Sequence, residues 1–155
     1  MSTKIREEKK LDRRVVYRLV VTEDILPAGS AYASRVVCTY HNGARLYGKA
    51  HGDHPAIVVS ASDQDEVIWS GSIPFRISLK RVDATGPDHP FFRPKPWNSS
   101  KGKDKAHRLA TGPANPEGLT EGDQVEYKYT ITKLKDDGSE DKTCEPLDPH
   151  IILEP

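Results

Sequence analysis

Apolar residues recur at every second position in this chain, and that period restricts its fold more than any other feature. In Phe75-Arg-Ile-Ser-Leu-Lys80 the side chains of Phe75, Ile77 and Leu79 fall on one face and those of Arg76, Ser78 and Lys80 on the other. Val125, Tyr127, Tyr129 and Ile131 repeat the pattern, with Glu126 and Lys128 pointing the opposite way. Successive side chains of a strand alternate between faces, so both segments predict strands with one buried and one wet face. Further runs rich in β-branched and aromatic residues occupy 14–22, 32–40, 45–49, 55–61, 66–69 and 151–153. Pro27-Ala-Gly29, His41-Asn-Gly43 and Asp136-Asp-Gly138 supply turn signals between them. No stretch shows helical periodicity with caps. The expectation is an all-β antiparallel sandwich of about seven to nine strands. The 155 residues suffice for one such domain over 14–155, preceded by a charged arm at 1–13.

One segment departs from the pattern. Residues 83–122 are rich in Pro, Gly and Lys and read as a long irregular loop, which in a compact domain is usually functional or disordered. Its first half contains His89-Pro-Phe-Phe-Arg-Pro-Lys-Pro-Trp97. Phe91, Phe92 and Trp97 are stiffened by prolines and bordered by Arg93 and Lys95. Aromatic groups with a cationic rim suit a protein-binding surface; the alternative is a plug folded over one end of the sandwich.

Charged residues make up 30% of the chain and balance to a net charge of zero. Neutrality removes the global electrostatic reason to expect nucleic acid or membrane partners. The charges are nevertheless segregated. Six basic residues face the single acid Asp104 between 93 and 108, whereas ten acids face four lysines from 121 onward. Opposite patches of this kind can attract each other within one molecule or between copies, or simply solvate the surface.

Residues 1–14 are charged throughout and lack the apolar core of a signal peptide, so the expected location is the cytoplasm, with Cys38 and Cys144 reduced. Cys38 lies among Val36, Val37 and Tyr40 and reads as a buried thiol. Cys144, in a polar stretch before Pro146, reads as the more exposed of the two. Pairing Cys144 with His150, or Cys38 with His41, would require a base within hydrogen-bond reach, which spacing alone does not supply. No phosphate loop, nucleophile elbow or dinucleotide fingerprint occurs. His51-Gly-Asp-His54 could place His51, Asp53 and His54 around a metal ion, although short polar turns also collect these residues without one. No cofactor is expected.

Leu119-Thr-Glu-Gly-Asp-Gln-Val-Glu-Tyr-Lys-Tyr129 resembles the approach to a late strand of immunoglobulin-like sandwiches. Asp65-Glu-Val-Ile-Trp69 followed by Pro74-Phe75 resembles the middle of cupredoxin-like sandwiches, but the histidine, cysteine and methionine ligands of a blue-copper site are missing. The C-terminal Asp148-Pro-His-Ile-Ile-Leu-Glu-Pro155 resembles the signature of the bacterial DP-EP family, and the last third is similar to the AidA/PixA inclusion-body proteins. Neither resemblance implies a catalytic residue. The expected function is a non-enzymatic protein-interaction or assembly module, binding a protein or itself through the aromatic and basic loop or a sheet edge. A metal-binding protein and a self-assembling structural protein are the alternatives.

Overall fold

The computed structural model describes residues 3–5, 15–40, 45–46, 55–82, 96–116, 119 and 124–155. Among them there is no helix, and the strands run β1 (Thr3–Ile5), β2 (Val16–Ile25), β3 (Ser34–Tyr40), β4 (Arg45–Leu46), β5 (Pro55–Ser60), β6 (Glu66–Gly71), β7 (Phe75–Arg81), β8 (Trp97–Asn98), β9 (Ser100–Lys101), β10 (His107–Ala110), β11 (Val125–Lys133), β12 (Cys144–Glu145) and β13 (His150–Glu154). One sheet has the order β1-β5-β13-β11-β7-β8; the other has β12-β3-β2-β6-β10-β9, with β4 paired to β3. The two pack together as a β-sandwich.

The thirteen strands among the described residues exceed the seven to nine expected; eight of them (β2, β3, β5, β6, β7, β10, β11 and β13) have four or more residues. The five shorter ones all lie at sheet edges. Short edge strands offer little unpaired backbone as a template for another chain.

Most strand pairs are antiparallel, as expected, but both sheets are mixed. β1–β5, β5–β13, β2–β6 and β3–β12 are parallel. The alternation of apolar residues specifies which face a strand buries, but it carries no information on strand direction. Direction follows here from crossovers: the chain leaves the β2–β3 sheet for β5 and returns as β6 beside β2. Two further expectations change. The segment 83–122 is not irregular throughout, since it contains β8, β9 and β10, and the charged arm contributes Thr3–Ile5 as β1 beside β5. Strands this short carry too few alternating residues to stand out in the sequence.

Inward-facing residues of the two sheets form one core. Tyr17, Leu19, Val21, Val36, Cys38, Val67 and Trp69 come from one sheet; Ile57, Val59, Phe75, Ile77, Tyr127, Tyr129, Ile131, Ile151 and Leu153 come from the other. Trp69 is fully buried and meets Tyr129 edge-on, with ring centroids 5.6 Å apart and planes at 64°. Tyr17 meets Tyr40 at 6.2 Å. Gly71 stands opposite Val21, and a Cβ there would fall 1.9 Å from the Val21 carbonyl oxygen, so the close approach of β2 and β6 requires glycine.

Asp65 closes one end of the sandwich. Its carboxylate is fully buried, accepting the Val15 N–H at 3.0 Å through Oδ1 and the Ser60 N–H at 2.9 Å through Oδ2. Its carbonyl accepts the Ala114 N–H at 2.9 Å. One residue thereby ties the start of β2, the end of β5 and the segment after β10, bridging both sheets. A buried carboxylate survives only when its lone pairs are satisfied in this way.

Candidate interaction surface at the loop-bearing end

The opposite end of the sandwich carries three connections that are described along their whole length. β2 leaves through 26–33 into β3, β6 through 72–74 into β7, and β11 through the segment that includes β12 and leads to β13. β9 and β10 project a turn from the same end, because His107 pairs with Gly71, the last residue of β6.

A charged lid covers the core here. The inward alternation Tyr17, Leu19, Val21 continues to Glu23, and Tyr127, Tyr129, Ile131 continues to Lys133. Glu23 from one sheet meets Lys133 from the other at 2.9 Å, and Asp141 lies 3.4 Å from the same ammonium. The Ser34 hydroxyl donates to the second Glu23 oxygen at 2.9 Å. The Lys133 hydrogen bond holds the Glu23 carboxyl below its ordinary range against the opposing effect of burial. Glu23 in turn raises the Lys133 ammonium. Asp141 is lowered first by the Thr143 hydroxyl and N–H, then by Lys133.

The signs define a pH window. A carboxylate lowered on folding contributes stability above its unfolded value and loses it as pH falls through the folded one. A raised ammonium contributes below its unfolded value and loses it as pH rises through the raised one. The lid therefore stabilises most between about pH 5 and 10, the unfolded values being roughly 4.3 and 10.4. Lys133→Met should cost about 0.5–1 kcal/mol at pH 7. It should also flatten the acid limb of a urea-denaturation series run from pH 3 to 8. An unchanged acid limb would show that Glu23 and Asp141 titrate independently of Lys133.

Beyond the lid, Ile25 is 81% exposed. Beside it the 26–33 loop and Lys142 and Thr143 enclose an open cleft of about 550 Å3. The loop is held by Leu26 N–H donating to the Ala33 carbonyl and by Ala33 and Ser34 N–H donating to the Thr143 carbonyl. Gly29 adopts φ 90°, a left-handed turn conformation that glycine takes without strain.

Neither cysteine is prepared as a nucleophile, for which the thiolate is needed. Burial pushes the Cys38 thiol up to about 12, with a hydrogen bond to Tyr129 opposing. Cys144 corrects an expectation: it is 2% exposed, joins the core, and its thiol is raised by burial. Its neighbours are polar, but β12 pairs in parallel with the start of β3 and turns the side chain inward. Both thiols are free. Cys144 and His150 belong to different sheets, and His150 Nδ1 instead lies 2.8 Å from Glu126 Oε1.

Of the residues singled out as partner-binding, Phe91, Phe92, Arg93 and Lys95 lie outside the described residues. Trp97 sits in β8 opposite Ile77, packs partly buried against the core, and with Leu109 lines a groove of about 310 Å3 where the sheet edges meet. His41, His51, Asp53 and His54 also lie outside the described residues. Among those described, no group of three or more His, Cys, Asp or Glu is placed to hold a metal ion. No helix among them is long and apolar enough to cross a membrane.

The sequence singled out neither Ile25 nor the Glu23–Lys133 pair. Glu23 and Lys133 do occupy the next inward position after each apolar run, and that register is the one signal that would have found them. No protein-family model matches the chain, and no curated protein matches it.

Proposed function

We propose that this chain is a non-enzymatic protein-interaction or assembly module. It grips its partner with the loop-bearing end of the sandwich and with the stretch containing Phe91, Phe92, Arg93 and Lys95. The observation that carries the reading is Ile25, a large aliphatic side chain 81% exposed beside an open cleft. Loops on a rigid scaffold are where binding residues concentrate, and an apolar group on such a surface stabilises a complex when a partner covers it. The partner class is another protein surface. Free, buried thiols suit a reducing compartment, and the cytoplasm is the proposed location. The dipeptides Asp148-Pro149 and Glu154-Pro155 bracket β13, and on them rests a proposed kinship with the DP-EP family.

Ile25→Asp tests the reading. The substitution is on the surface and should change stability by no more than about 0.5 kcal/mol. Immobilised wild-type protein should retain a specific protein from a lysate of the source organism, and the variant should lose it at equal thermal stability. Identical capture by both would remove Ile25 from the binding surface.

A further inference from the structure

We propose that two copies of this chain pair end to end about a two-fold axis, the 101–105 turn of each copy seated on the 135–145 loop of the other. The inference rests on the interaction-module reading and names the partner as a second copy.

Both segments project from the same end. β10 starts opposite the last residue of β6, which places the turn beyond that strand. β11 ends at Lys133 opposite Phe75, the first residue of β7, which places the start of the 135–145 segment beyond the same end, from where the chain crosses to β12 at the far edge of the other sheet. Arg76 stands between them, its Nε donating to Asn98 Oδ1 at 2.9 Å and its Nη2 to the Gly138 carbonyl at 3.5 Å.

Their charges are equal and opposite. Residues 100–108 hold Lys101, Lys103, Lys105 and Arg108 against Asp104, three net positive charges. Residues 135–145 hold Asp136, Asp137, Glu140, Asp141 and Glu145 against Lys135 and Lys142, three net negative charges. Within one copy the two patches leave each other unpaired. Arg108 takes Asp104, Lys133 takes Asp141, and Asp137 accepts from Ser139 of its own turn. The exposed Lys101, Lys103 and Lys105 enter no ion pair among the described residues, and neither do the exposed Asp136, Glu140 and Glu145.

An end that carries both signs at separate positions is self-complementary when a second copy is turned by half a rotation. That is the isologous geometry of a two-fold dimer. Each pairing then occurs twice, and Ile25, on the same end, adds apolar area to a charged rim. Because the charges are exposed, the pairing is screened by salt.

Sedimentation velocity of the full chain tests this with two triple variants: Lys101→Glu, Lys103→Glu, Lys105→Glu, and Asp136→Lys, Glu140→Lys, Glu145→Lys. The wild type should form a concentration-dependent dimer in about 20 mM salt, with Kd at least about tenfold weaker in 500 mM. Each reversed variant presents an end of one sign and should be monomeric, whereas an equimolar mixture should restore a 1:1 heterodimer. Triple Gln variants at the same positions should weaken the wild-type dimer without repulsion, which keeps the test decisive if a reversal disturbs folding. A wild type that stays monomeric at about 1 mM in low salt would overturn the proposal. So would reversed variants that dimerise like the wild type, or a mixture that fails to associate. If the wild type is monomeric yet still loses its lysate partner on Ile25→Asp, the dimer is refuted and the interaction-module reading stands.

Discussion

Trp69→Ala should cost about 3–5 kcal/mol of folding stability, the range for truncating a large aromatic in a packed core. Trp69 is the largest fully buried side chain, on β6 in the centre of its sheet, and it reaches across to Tyr129 of the facing sheet. Two losses combine. Removing the indole withdraws its burial from the inter-sheet space and leaves a cavity that flanking strands, hydrogen-bonded on both sides, relax into only partly. It also removes the edge-to-face pair, worth about 0.5–1.5 kcal/mol beyond area. Against a total stability of roughly 5–15 kcal/mol, such a loss should lower the melting temperature by about 10–20 °C. Urea denaturation with an unchanged m-value is the direct measurement. A loss below about 1 kcal/mol would show that the sheets do not close on this side chain.

Asp65→Ala should cost about 2–5 kcal/mol by a different route. No large volume is lost. Two backbone donors, Val15 N–H and Ser60 N–H, are left without the oxygens that now accept them, at about 1–3 kcal/mol each. Asp65→Asn should recover part of the loss, since the amide keeps one acceptor but turns a second donor toward an N–H. The effect should be local before it is global. Amide hydrogen exchange at Val15 and Ser60 should accelerate more than exchange at the centre of β11, because the carboxylate ties strand ends rather than strand middles. Stability within about 0.5 kcal/mol of wild type, with unchanged exchange at both amides, would show that water replaces the carboxylate without loss.

These two residues mark what was legible and what was not. Trp69 sits in a run of β-branched and aromatic residues and is recognisable as core from its neighbours alone. Asp65 belongs to Ser60-Ala-Ser-Asp-Gln-Asp65, where two aspartates stand in one polar turn, and residue type does not say which is buried. Asp63 is half-buried, whereas Asp65 reaches Val15, fifty positions away in the chain, and that distance is invisible in a local pattern. Cys144 failed for the same reason: polar neighbours suggested exposure, but a two-residue pairing with β3 turns the thiol inward.

The sequence by itself determined the all-β class, the inward faces of β7 and β11, the turn at Asp136-Asp-Gly138 and the segregation of charge. These are properties of side-chain period and residue type, which act over a few positions. Only the tertiary structure decided that the sheets are mixed, that β8, β9 and β10 interrupt the 83–122 segment, that Glu23 and Lys133 close the core, and that the basic turn and the acidic loop share one end. Each of these depends on which strands become neighbours. Strand pairing here joins residues far apart in the chain, and its hydrogen bonds run through backbone groups that every residue carries alike.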